Sequence, residues 1–207
     1  LDRGEAVGDD ERGAAFHQLG EGALDGALGL PRGQVRLAAP TPRWAALYAD
    51  EAARLAAARV WGGYLAPGKL VAAYQSLFAW AEEQGLETRG GRIVGVSRDD
   101  PDLTPLSQCR YDFMIEIPDG LTPPPRFAVA GRDAGLWAVT RVKGDLAAVD
   151  RAWSSLFKSW LPASGFDLRD APAEEAYLQL PEVIGWDAFD LECRVPVAYP
   201  PDGGHHA

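Results

Sequence analysis

The sequence predicts an α+β fold: two copies of a strand–helix–strand–strand unit forming one curved antiparallel sheet, with two main helices and a central cleft. Two internal matches predict it. Residues 92–118 slide over residues 172–196 so that Pro101 meets Pro181, Asp112 meets Asp190 and Pro118 meets Pro196, with a two-residue gap in the connecting loop. Upstream, Ala73-Tyr74-Gln75-Ser76-Leu77-Phe78 matches Ala152-Trp153-Ser154-Ser155-Leu156-Phe157, and each block is followed by a Trp and a Gly, Trp80 and Gly85 or Trp160 and Gly165. A self-match of this length sets the architecture before any element is read singly. It also exposes an asymmetry. Gly95 in the first copy falls opposite Glu175 in the second, which suggests one acidic site in a pseudo-twofold frame.

Each element then has its own signal. Residues 1–40 are rich in Gly and charge and carry no periodicity, so a loosely structured arm is expected there. Residues 41–59 read as a connecting helix. Thr41 can cap it, Pro42 suits its first turn, and Trp44, Leu47, Tyr48 and Leu55 recur on one face. The duplicated domain is expected over 60–199, with repeat one at 60–120 and repeat two at 126–199.

In repeat one, a strand at 60–65 precedes a helix at 70–84. The helix's Leu70, Ala73, Tyr74, Leu77, Phe78 and Ala81 follow i, i+3, i+4 spacing. Gly85 ends it. Strands follow at 93–97 and 111–117, joined by a loop with Asp99, Asp100, Pro101 and Asp102 that turn chemistry explains better than a metal. In repeat two, strands at 127–131 and 136–142 lead to a helix at 146–160 that Pro162 should stop. Strands at 174–179 and 190–197 close the unit. Residues 200–207 read as a disordered tail whose His205 and His206 carry no site.

Composition narrows the function. In 207 residues, 47% are hydrophobic, with seven Trp, six Tyr and seven Phe, which is enough for a sizeable core. The net charge of −10 argues against direct nucleic-acid binding by this chain, because Lys and Arg on phosphate supply most such affinity. It favours cationic ligands or basic partners. Cys109 and Cys193 have no metal-ligand spacing and read as reduced thiols of a cytoplasmic protein. No membrane span is expected. The chain begins at Leu1 rather than Met, so a DNA-binding domain upstream remains open, as does a homodimer.

Strand alternation places Glu175 and Tyr177 on one face and Glu174 and Ala176 on the other. A carboxylate among aromatics must be paired with an arginine, solvated, or kept for a cation. Arg141 and Arg169 are the structural partners considered. The candidate ligand-binding set is Glu175, Tyr177, Trp61, Tyr111, Trp137, Trp153, Trp186 and Phe189, since aromatic faces attract cations. The competing reading for most of these rings is core filling. No metal and no cofactor is expected. His17 is the only histidine outside the tail, which argues against Ser-His-Asp or Cys-His catalysis. If the chain is an enzyme, Glu175 is its acid.

Several of these motifs together resemble the GyrI-like small-molecule-binding domain, the effector-binding domain of AraC- and MerR-type transcription regulators. They are Leu77-Phe78-x-Trp80, Asp99-Asp100-Pro101, Cys109-Arg110-Tyr111-Asp112, Trp160-Leu161-Pro162-x-Ser164-Gly165-Phe166 and Glu175-x-Tyr177-Leu178-x-x-Pro181. The resemblance covers about two thirds of the chain and leaves out residues 1–59. It implies a hydrophobic, aromatic, cationic drug or natural product held against one glutamate, here Glu175, by a sensor or a sequestering resistance protein. Two alternatives come with it. One is a hydrolase that detoxifies a cyclopropane-containing DNA alkylator through Glu175. The other is a gyrase-type inhibitor acting by protein interaction.

Overall fold

The computed structural model describes residues 45–101 and 103–200. Most of the arm and the tail, together with His17, Thr41, Pro42, Trp44 and Asp102, lie outside the described residues. Among the described residues nine strands form one sheet: β1 (Ala46–Asp50), β2 (Ala53–Trp61), β3 (Ile93–Ser97), β4 (Arg110–Ile117), β5 (Ala128–Arg132), β6 (Gly135–Gly144), β7 (Asp167–Leu168), β8 (Glu174–Tyr177) and β9 (Phe189–Ala198). The order is β1-β6-β9-β8-β3-β4-β2-β5, with the short β7 beside β9. Every pairing is antiparallel. Read from either end, the order matches first-half strands to second-half strands, as the two-copy reading expects. Its midpoint is the β3–β8 pair, where Gly95 faces Glu175 directly.

Residues 41–59 correct the sequence reading. From Ala46 onward they form β1 and β2, not a helix. The segment is rich in alanine, which favours helix, but such propensity is weak. Here the sheet overrides it: β1 pairs with β6, and β2 is held on both sides by β4 and β5. β2 therefore starts well before residue 60, and residues 63–65 form a short 3-10 turn.

Two helices pack on one face of the sheet. α1 (Pro67–Glu83) has Pro67 in its first turn, where no N–H is needed, and buries Tyr74, Leu77 and Trp80. It lies on β2 and β4. α2 (Leu146–Ser154) is capped by Asp145, whose carboxylate accepts from the Ala148 N–H at 2.9 Å, and lies on β6 and β9.

Pro162 does not stop this second helix. It continues as a π-helical stretch, Ser155–Trp160, and then as α3 (Leu161–Ser164), until Gly165 turns left-handed at φ 72°. The cause is visible in the duplication. Ala73 matches Ala152 and Phe78 matches Phe157, yet Trp80 matches Trp160, so the second copy carries one extra residue between them. A π turn absorbs one inserted residue without breaking the helix.

The sheet is strongly curled. Strands sit about 4.8 Å apart, so β1 and β5, at the two ends of the order, would be tens of ångströms apart if it were flat. Instead Arg132 of β5 meets Asp50 of β1 at 3.0 Å. The helices lie outside the curl over a core that includes Phe113, Leu156, Trp160, Leu191 and Val195. A smaller cluster, Leu55, Ala57, Val94, Val96, Met114 and Ala176, lines the inside. The short α4 (Pro181–Ile184) bridges β8 to β9.

Candidate functional site

Because α1 and α2 lie on the flanking strands, the central β3–β8 pair is left open between them, and Glu175 stands on that strip. It is half-buried. Its Oε2 accepts from the Tyr111 hydroxyl at 2.6 Å, and its Oε1 accepts from the Trp153 indole N–H at 3.1 Å. The Tyr111 and Tyr177 oxygens are 3.0 Å apart. Since Tyr111 gives its proton to Glu175, Tyr177 donates to Tyr111. Burial, with the Glu175 charge added, raises both phenols well above their ordinary range, so both are neutral donors. Neither arginine considered as a partner reaches Glu175. Arg141 forks onto Asp190 at 2.9 Å, and Arg169 donates to the Asp133 and Ala134 carbonyls. Among the described residues Glu175 has no salt bridge, so its two donors are uncharged.

Glycine at position 95 makes this geometry possible. Tyr111 lies diagonally across β3, and a Cβ on residue 95 would run into its hydroxyl and come within 2.7 Å of Cζ. A glutamate there would also put two carboxylates face to face. The Gly/Glu asymmetry of the duplication is therefore a packing requirement of the Tyr111–Glu175 bond.

An aromatic wall surrounds the carboxylate. Tyr64 stands edge-on to Tyr111 at 6.5 Å and hydrogen-bonds Ser97 at 2.8 Å. Phe157 stacks on Trp153 at 5.9 Å. Tyr74 meets Phe113, Tyr177 and Trp186 in edge contacts. Tyr64, Phe157 and Trp186 are each more than a third exposed, so the wall offers open ring surface. Asp150, one helical turn before Trp153, adds a second acid. Burial, then the Glu175 charge, raises its carboxyl above the usual range. Cys193, directly across from Glu175 on β9, is buried and its thiol is pushed far up by burial. It is therefore no nucleophile at neutral pH.

Of the sequence-predicted set, the structure brings Glu175, Tyr111, Tyr177 and Trp153 into one hydrogen-bonded group. Trp186 joins through Tyr74, and Phe189 packs at the edge of the same outer core. Trp61 and Trp137 are not brought there. Trp61 ends β2 and is 56% exposed, with the Arg110 guanidinium 5.7 Å over its ring. Trp137 is buried and lines the inside of the curl, with Arg169 over its ring at 5.3 Å. Sequence reasoning missed Tyr64 and Asp150 as members. Asp150 has a readable signal, its i, i+3 spacing to Trp153; Tyr64 has none. The acidic loop is pinned, since Asp99 forks onto Arg110 at 2.6 and 2.8 Å and takes the Arg110 backbone N–H.

A family comparison decides what this frame is. The model of the GyrI-like small-molecule-binding domain matches residues 51–197. The chain belongs to that family. Among curated relatives of this GyrI-like chain, a probable transcriptional regulator YgiV of Escherichia coli K12 is 30% identical over 122 residues, spanning 58% of this chain and 76% of that protein. A DNA gyrase inhibitor of Serratia proteamaculans is 28% identical over 145 residues, spanning 68% and 89%. Among solved structures, SAV2435 bound to tetraphenylphosphonium aligns with a TM-score of 0.50 at 15% identity, covering 78% of this chain and 98% of that one. At that identity the likeness speaks to fold alone. No helix among the described residues is long and apolar enough to cross a membrane.

Proposed function

We propose that this GyrI-like domain binds an aromatic, cationic small molecule in the cleft between α1 and α2, with Glu175 as counter-charge, as the sensing or sequestering part of a drug or natural-product response. One observation carries the reading: Glu175 is half-buried among exposed aromatic rings, and its donors, Tyr111 and Trp153, are both neutral. Those bonds hold the carboxylate in place and leave its charge uncompensated. A cation stacked on the rings gains from both the ring faces and that charge. Asp150 adds to the negative potential. The tetraphenylphosphonium complex of SAV2435 has a ligand of this chemistry.

The test is a calorimetric titration with tetraphenylphosphonium and with neutral triphenylphosphine oxide. A cation about 6 Å from the carboxylate at an effective dielectric near 20 gains about 3 kcal/mol, roughly a hundredfold. Glu175→Gln should therefore weaken the cation about a hundredfold and leave the neutral compound nearly unchanged. Equal loss for both would rule out the counter-charge role.

A second reading rests on the Tyr177–Tyr111–Glu175 chain, which links two phenols to a carboxylate and could shuttle a proton to a strained ring. In that case Glu175→Gln would abolish turnover of a cyclopropane-containing alkylator, and a product would be seen with the native chain.

A further inference from the structure

The outer cleft draws its charge from one half of the duplication. With Tyr74 set against Trp153, Val71 falls opposite Asp150, just as Gly95 falls opposite Glu175. The first copy thus meets the cleft with neutral phenols, Tyr64 and Tyr111, and the second with two carboxylates. Asp150 lies on the same face of α2 as Trp153, three residues on, whose indole N–H reaches Glu175 at 3.1 Å. The two acids feel each other. Burial, then the Glu175 charge, raises the Asp150 carboxyl, and after burial both acids push up the Cys193 thiol beside them.

The other sheltered acids of the molecule are treated differently. Among the described residues eight carboxylates are buried or half-buried. Six of them hold an arginine: Asp99 at 2.6 Å, Asp112 and Glu192 at 2.7 Å, Asp190 at 2.9 Å, Asp50 at 3.0 Å and Glu174 at 3.4 Å. The two that hold none are Asp150 and Glu175. Arg151, the chain neighbour of Asp150, acts on it only through space. Two half-sheltered like charges repel, and a ligand with two positive centres relieves both at once. A metal ion fits less well. Two carboxylates fall short of the about six to eight oxygens that calcium takes. Among the described residues no group of three or more His, Cys, Asp or Glu is placed to hold one.

We propose that Asp150 is a second cation anchor of the outer cleft, so that the preferred ligand is an aromatic dication. One positive centre sits against Glu175 and the other against Asp150, with the ring on the stacked pair Trp153 and Phe157. This inference rests on the outer-cleft reading above. Asp150 and Trp153 stand one helical turn apart, about 5 Å along the axis, and the indole spans the remaining distance to Glu175, so the two charges belong on opposite sides of a ring.

The probes are the dication para-xylylene-bis(trimethylammonium) and the monocation benzyltrimethylammonium, which shares its ring, titrated calorimetrically on the full chain beside tetraphenylphosphonium. The dication should bind about tenfold or more tighter than the monocation. Asp150→Asn should weaken the dication about tenfold and the monocation less than about threefold, with no loss of stability in urea. Asp119→Asn, which removes an equal charge from an exposed turn, should leave both affinities unchanged. Equal affinity for the two probes, an equal loss of both on Asp150→Asn, or the same loss on Asp119→Asn overturns the second anchor. So does binding of tetraphenylphosphonium without either probe, and each of these outcomes leaves the outer-cleft reading standing. No binding by any of the three cations overturns that reading and the second anchor with it.

Discussion

Glu174 and Glu175 are chain neighbours on β8, yet strand alternation sends them to opposite sides of the sheet and into opposite circumstances. Glu174 points into the curl, is 2% exposed and is met by Arg132. Burial outweighs that arginine and raises its carboxyl above the usual range. Glu175 points out between the helices, is half-buried and is met only by neutral donors. The difference shows how one strand balances one charge within the protein and leaves the next uncompensated. A carboxylate given an arginine is already balanced. One held by a phenol and an indole is oriented but still available.

The comparison breaks most sharply at Arg132. Arg132→Ala removes the arginine bonded to buried Glu174 and leaves only the charge of Arg194 across on β9, and losing one member of such a pair costs about 3–5 kcal/mol. Urea unfolding should show that loss, whereas Glu175→Gln, which leaves one of two donors without its acceptor at a half-buried site, should cost about 0.5–1.5 kcal/mol. If both substitutions destabilise alike, the two glutamates are not divided as described.

Gly95→Ala comes next. The added methyl forces Tyr111 off Glu175 and costs about 1–3 kcal/mol of stability through overpacking. Tetraphenylphosphonium affinity should fall with it, by about tenfold, because the carboxylate loses its orientation. Trp153→Phe is milder. It keeps a ring in the wall and removes one hydrogen bond, worth about 0.5–1.5 kcal/mol, so cation affinity should drop severalfold at most.

The smallest effect concerns pH. The Arg110 guanidinium beside Asp99 holds its carboxyl down at about 2. A lowered acid stabilises above its ordinary range and loses that contribution as pH falls from about 4 to about 2. Arg110→Gln should flatten the acid limb of a stability–pH curve in that window. Glu174 has the opposite sign: its raised carboxyl favours the fold at low pH, and that gain is lost as pH rises through its folded value.

Much of this was legible in the sequence because both copies wrote it. β3 was expected at its observed residues, 93–97, and β4, β6, β9, α1 and the pairing of Gly95 with Glu175 followed from the repeat. The segment at 41–59 was not legible. Its copy-mate, β5 and the start of β6, was read as strand, but Trp44, Leu47, Tyr48 and Leu55 at helical spacing masked the equivalence, and only partners far along the chain make it a strand. The inner aromatics were not legible either. β6 is buried on both faces, so no alternation of polarity tells whether Trp137 or Ala138 faces the helices. The extra residue before Trp160 was present in the alignment, yet a one-residue offset does not announce a π turn until the helix is seen to run through Pro162.

The strand order has a consequence for how this chain comes into being. β1 belongs by sequence to the first half but pairs with β6, while β5 opens the second half but pairs with β2. Each half thus lends a strand to the other across the mouth of the curl. A ribosome that has finished only the first repeat has made a sheet lacking its fourth strand and a β1 with nothing to hold. Neither half is a place to stop, and chain cut between Leu121 and Phe127 should regain structure only when both pieces are present together.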